Sequence, residues 1–220
     1  MQRTLPELVA ISELVVVGKI EKVSGLNFIF KIDQVAKGKW EKHTIEVQKF
    51  SDWTCASRYS KYEKGQKAVL FLCKETRKGK KVWRAMGAGN EGEWELSKGK
   101  LIDRTWTGRK IFGSGISGKI RGLFFWWKYW RGADNTVLDR IISDRYDKDA
   151  FLEAVRNYQE CFKVTVSQDN YWIRQVFIVC SDASLKTYRN KSDIHRMITD
   201  QFLELQKRLV KEKQEEFVKR

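Results

Sequence analysis

Four apolar runs decide the fold of this chain: Leu14–Ile20 (LVVVGKI), Phe28–Ile32 (FIFKI), Thr44–Val47 (TIEV) and Gln66–Leu72 (QKAVLFL). Each is rich in β-branched or aromatic residues, each has the length of a strand, and glycine or charge separates one from the next. Their succession predicts a small antiparallel β-barrel over roughly the first hundred residues. Two hairpins extend the pattern. A basic one turns at Gly79 into Val82–Met86, and Glu93–Leu96 turns through Ser97–Gly99 into Lys100–Asp103. Residues 1–13 read as a lead-in with a turn of helix, and 51–60 as a polar loop.

Beyond Asp103 the composition changes. The stretch 104–132 holds seven Lys or Arg, six glycines and eight aromatics but no Asp or Glu, so it reads as a connector outside the regular barrel. From Asn135 the pattern becomes helical. Asp147 or Asp149 is expected to cap a helix reaching about Phe162, with Phe151, Leu152, Val155 and Tyr158 on one face. β-Branching makes 171–179 a strand. Ser192 then starts a long helix whose Ile194, Met197, Ile198, Phe202, Leu205 and Leu209 form one apolar stripe. The expected architecture is α+β: an OB-like antiparallel barrel over 1–103, a basic aromatic connector over 104–134, and a mainly helical region with one added strand over 135–220.

Nine tryptophans and 42% hydrophobic residues supply a packed core, which excludes global disorder. The formal charge of +15 favours an acidic counterpart: nucleic acid, an anionic membrane surface or an acidic protein. Cys55, Cys73, Cys161 and Cys180 allow two readings. One is a disulfide between Cys161 and Cys180, and the other is buried thiols in a reducing compartment. With His43 and His195 the only histidines and no Cys-x-x-Cys, neither a zinc site nor any other cofactor is expected. No secretory leader is visible, and no apolar run approaches the ~20 residues of a spanning helix.

The string Leu14–Lys19, then Phe30–Gly38 (FKIDQVAKG), then a short Thr-Ile-Glu-Val strand, then Gly65–Leu72 (GQKAVLFL) resembles the netrin-like module. This is the OB-type barrel of the tissue inhibitors of metalloproteinases and of many bacterial secreted proteins. The resemblance covers about residues 9–103. It implies a fold and an extracytoplasmic origin, but no site. Those inhibitors chelate the protease zinc through an N-terminal cysteine, whereas residues 1–13 here contain none.

Three motifs invite a chemical reading. Gly87–Gly92 (GAGNEG) satisfies G-x-G-x-x-G, yet nucleotide binding needs a helix after it and a hairpin follows, so a glycine-rich barrel loop is expected. Glu91, Glu93 and Glu95 alternate at strand spacing and mimic an acid/base set, for which a solvated barrel face is the ordinary explanation. Asp193 and His195 open the last helix, where a structural role is expected. No catalytic constellation emerges, and the chain reads as a non-enzyme.

The sharpest functional signal is 118–131 (GKIRGLFFWWKYWR). As a helix it would place Ile120, Leu123, Phe124, Trp127 and Trp130 on one face between flanking cations. Three uses compete: a headgroup-layer or partner contact, base stacking beside phosphate-binding cations, and packing in the seam between barrel and helices. The expected anion- or partner-binding residues are Lys78, Lys80, Lys81, Arg84, Arg109, Lys110, Lys119, Arg121, Lys128 and Arg131. Phe124, Trp126, Trp127 and Trp130 are the expected aromatic contacts. The function read from these features is non-catalytic binding, in the cell envelope or secreted space, to an acidic protein partner or anionic surface. Single-stranded nucleic-acid binding on the barrel and a hydrolase built on the three glutamates are the alternatives. The extracytoplasmic assignment applies to a mature chain; the cytoplasm is the alternative.

Overall fold

Every one of the four apolar runs is a strand in the computed structural model, which describes residues 3–51, 58, 60–77, 79–87, 91–103, 144–167 and 173–218. Strands β1 (Leu14–Ser24), β2 (Asn27–Lys37), β3 (Thr44–Gln48), β4 (Lys67–Arg77) and β5 (Lys80–Ala85) run in the order β1-β2-β3-β5-β4. Strand β4 pairs back onto β1, from Leu14↔Leu72 to Lys19↔Lys67, and closes the barrel. All junctions are antiparallel except β3–β5, where Val47↔Trp83 and Gln48↔Arg84 run parallel. The all-antiparallel barrel expected from the sequence is corrected on this point. Directions cannot alternate all the way round a ring of five strands, so one neighbouring pair must be parallel. Residues 49–66 carry the chain from β3 to the far side of β1, and β5 then returns alongside β3.

Strands β1 and β4 are buried on both faces. Their inward side chains Leu14, Val16, Leu70 and Leu72 fill the barrel together with Phe28, Phe30, Ile45 and Val47. Their outward side chains Val15, Val17, Val69, Phe71 and Cys73 belong to a second core outside the barrel wall. Two-sided burial explains why these runs are continuously apolar instead of alternating. Gly18 is required where β1 bulges against β2, because a Cβ there would overlap the Lys31 carbonyl.

The second core is covered by elements that flank the barrel in sequence. Helix α1 (Leu5–Ile11) opens with a Thr4–Glu7 capping box and is tied to β2 by Lys37, whose Nζ donates to the Val9 and Ala10 carbonyls at 2.6 and 2.8 Å. Strands β6 (Glu93–Ser97), β7 (Lys100–Asp103) and β8 (Asp144–Asp147) extend the sheet from the β4 edge. Asp147 caps α2 (Lys148–Asn157) by accepting from the Asp149 and Ala150 amides. Helices α3 (Asp182–Asn190) and α4 (Asp193–Val218) complete the layer. Phe151 meets Phe71 edge-on, and Phe202 stacks on Phe162 with ring centroids 4.6 Å apart.

The C-terminal region holds three strands among its described residues instead of the single added strand expected. The α2 helix stops at Asn157, a 3-10 turn follows, and Phe162 begins a strand instead of ending a helix. Strands β9 (Phe162–Val166) and β10 (Ile173–Ile178) form a separate antiparallel ribbon. Cys161 and Cys180 are disulfide-bonded across its end, which realises the first of the two cysteine readings. Closing a loop of that length stabilises a folded chain by about 3 kcal/mol in the chain-entropy picture. Cys73 is a buried free thiol whose pKa burial pushes up, and Cys55 lies outside the described residues.

His195 is buried where α2, α3 and α4 meet. Its Nδ1 lies 2.7 Å from Ser192 Oγ, its ring is edge-on to Tyr188, and its Nε2 has no hydrogen-bond partner among the described residues. Burial lowers its pKa below the ordinary value of 6.5; Glu153 of α2 pulls the other way, and Lys191 adds to the lowering. The folded state therefore binds fewer protons than the unfolded chain as pH drops below that value. Stability is full above about pH 6.5 and is lost on acidification. Between pH 7 and 5 the melting temperature of the wild type is expected to fall more steeply than that of His195→Gln. Parallel slopes in thermal melts would dismiss the histidine as the source.

Candidate functional site

The two ends of the barrel are closed by different aromatic–cation pairs. At the end carrying the β4–β5 turn, Trp83 lies against Trp40 at 5.7 Å, and Lys74 Nζ sits 4.8 Å above the Trp83 ring. Lys39, Lys42, Lys80 and Lys81 are exposed around them, with Glu41 as an exposed carboxylate among them. Arg84 is engaged with Glu75 at 2.8 Å, so it is not a free cation of the expected patch. Lys78 lies outside the described residues, as do Arg109, Lys110, Lys119, Arg121, Lys128, Arg131, Phe124, Trp126, Trp127 and Trp130.

The structure does locate both ends of the segment that holds them. Strands β7 and β8 pair from Lys100↔Asp147 to Asp103↔Asp144, so the chain leaves and rejoins the sheet at one point. The register Ala68↔Glu95 and Glu95↔Ile102 makes β7 run parallel to β4. Asp103 therefore heads toward the same end of the molecule as the Arg77–Lys80 turn, which lies about 25 Å further along at ~3.3 Å per residue.

The opposite end is plugged by a buried polar cluster. Glu93 of β6 accepts from Arg58 Nε through Oε2 and from the Tyr62 hydroxyl through Oε1, both at 2.6 Å. The side chains of Arg58 and Glu93 are 2% and 0% exposed. Arg58 also donates to the Ser60 and Lys61 carbonyls and to Gln66 Oε1. Its guanidinium lies 3.9 Å from the Tyr62 ring centroid, and Tyr62 stacks in turn on Phe28 at 5.0 Å. Burial and the Glu93 carboxylate hold the Tyr62 phenol well above its ordinary pKa. Two clefts border this cluster. One of about 600 Å³ is lined by Glu21, Lys22, Val23, Ile29, Tyr62, Glu63 and Lys64. The other, about 480 Å³, is lined by Lys49, Phe50, Arg58, Ser60, Lys61 and Tyr62.

Sequence reading treated 51–60 as a loop and missed this end altogether. Arg58 and Glu93 are 35 positions apart, and no spacing rule links them. None of the three glutamates lines either of these two clefts. Glu91 is buried in the turn before β6, Glu93 is engaged by Arg58 and Tyr62, and Glu95 is half-buried. Gly87 has φ +76° and follows β5, and the chain passes into strand β6 rather than into a helix, so the phosphate-cradling geometry of a dinucleotide motif does not arise. Among the described residues no group of three His, Cys, Asp or Glu side chains forms a metal-binding set, and no helix is long and apolar enough to cross a membrane. No protein-family model, curated protein or solved structure matches this chain.

Proposed function

We propose that this is a non-catalytic binding protein that engages an anionic surface through the end of the molecule carrying the β4–β5 turn. The observation that carries this reading is the Asp103↔Asp144 pairing. It brings together the two ends of the segment whose sequence holds the cationic, tryptophan-rich stretch, and the β4–β5 turn contributes exposed Lys80 and Lys81. A scaffold that fixes the ends of such a stretch concentrates charge and amphipathic rings where a headgroup layer is met. The barrel order β1-β2-β3-β5-β4-β1 supports an OB-type barrel, in keeping with the netrin-like resemblance. The Cys161–Cys180 disulfide favours an oxidising compartment.

Among the described residues, the seam between barrel and helices is built from Phe71, Trp94, Phe151, Tyr158, Phe162 and Phe202. Base stacking has less support on the outer surface of β2 and β3. Lys31, Asp33 and Glu46 are exposed there, with both signs of charge and no aromatic ring among them. Co-sedimentation with vesicles tests the proposal. Anionic vesicles are expected to carry the protein down and neutral ones not, with binding lost in the Trp126→Ala, Trp127→Ala, Trp130→Ala triple variant. Binding to a single-stranded oligonucleotide instead, or to neither, would overturn the anionic-membrane reading.

A further inference from the structure

We propose that the two clefts beside Tyr62 form one groove for an anionic amphiphile, with the acid group near Lys49 and Lys61 and the apolar group against Val23 and Ile29. The groove is at the barrel end opposite the proposed surface contact and does not rest on that reading. Its two halves differ in charge. The Val23–Ile29 cleft has Glu21 beside Lys22 and Glu63 beside Lys64, so its charged rim balances over an apolar floor. Among the described residues the second cleft is lined by three cations and no carboxylate. Arg58 is neutralised by Glu93 beneath it, which leaves Lys49 and Lys61 as the excess positive charge.

The wall between the halves is preorganised. Tyr62 is held between Phe28 and the Arg58 guanidinium, and its hydroxyl is fixed by Glu93 and the Phe50 amide. Lys49 is positioned by donating to the Gly25 carbonyl at 2.6 Å, and an ammonium has two further protons to give. A rigid aromatic divider with a neutral apolar floor on one side and two lysines on the other selects a ligand with both characters. Either half alone is too open or too weakly charged to hold a simple ion or a neutral hydrocarbon tightly.

Calorimetric titration of the whole chain with octyl phosphate, below its micelle concentration, tests this. Saturable binding is expected, weakened about tenfold or more in Lys49→Gln/Lys61→Gln and unchanged in Lys163→Gln/Lys186→Gln, which removes equal charge from exposed positions on β9 and α3. Octanol and inorganic phosphate are each expected to bind more weakly than octyl phosphate. Because Lys49 also holds the Gly25 turn, Lys61→Gln alone serves as the second variant and is expected to weaken binding with an unchanged melting temperature. No saturable binding, equal loss in the two double variants, or inorganic phosphate binding as tightly as octyl phosphate would overturn the groove. A phospholipid offers the same chemistry as a free amphiphile, and vesicles of anionic phospholipid separate the two. Reduced vesicle binding by Lys49→Gln/Lys61→Gln identifies membrane lipid as the source, whereas unaltered vesicle binding with reduced octyl phosphate binding identifies a free amphiphile.

Discussion

Replacing Glu93 by leucine is expected to cost about 3–5 kcal/mol of folding stability, because it strands the Arg58 charge in the interior. The pair is almost fully removed from water, and both carboxylate oxygens of Glu93 are occupied, by Arg58 and by Tyr62. Taking away the carboxylate leaves a buried guanidinium without its counter-charge and a tyrosine hydroxyl without its acceptor. The double variant Arg58→Leu/Glu93→Leu is expected to be more stable than Glu93→Leu alone, since no unpaired charge then remains inside. Urea denaturation of the three proteins measures both effects. A single-variant loss below about 1 kcal/mol would mean that water reaches the cluster and that it does not plug the barrel end.

Truncating Phe202 to alanine is expected to cost about 3–5 kcal/mol and to lower the stability of the whole molecule together. Phe202 is completely buried, stacked on Phe162 and on Tyr158, in a core that also contains Val69 and Phe71 of the barrel wall. A cavity there weakens the helical layer and removes support from strand β4 at the same time. Helical circular dichroism and near-ultraviolet signals from the barrel are expected to report one coincident transition at a lower denaturant concentration. Two separated transitions, with the helical signal lost first, would show that the layer unfolds apart from the barrel.

Much of this architecture was legible from residue order because it rests on local rules. The runs LVVVGKI and QKAVLFL read as strands because β-branched and aromatic side chains suit a pleated backbone. Their unbroken apolarity follows from burial of β1 and β4 on both faces. Gly79 and Gly99 marked hairpin turns because each adopts a positive φ, which glycine accepts without strain. Asp147 was readable as a cap, and the α4 stripe as one buried face, since Ile194, Ile198, Phe202 and Leu205 recur at helical spacing and all are buried. The helix expected to reach Phe162 failed because apolar spacing alone does not distinguish a helical turn from a strand edge. The pairing of β9 with β10 and the disulfide across their ends decided that residue.

Sequence by itself therefore determined the barrel strands, the hairpins, the start of α2 and the long α4 helix, and that one region concentrates cations and aromatic rings. Only tertiary structure decided three other matters. It made β3 and β5 parallel, because closure of a five-membered ring is a property of the whole circuit and of no single strand. It buried Arg58 against Glu93 and set Tyr62 between two clefts, because contacts between residues 35 positions apart depend on the closed barrel and not on local spacing. It also brought Asp103 beside Asp144. Local propensity acts over a few residues, whereas burial and charge pairing act between whatever the closed chain places side by side.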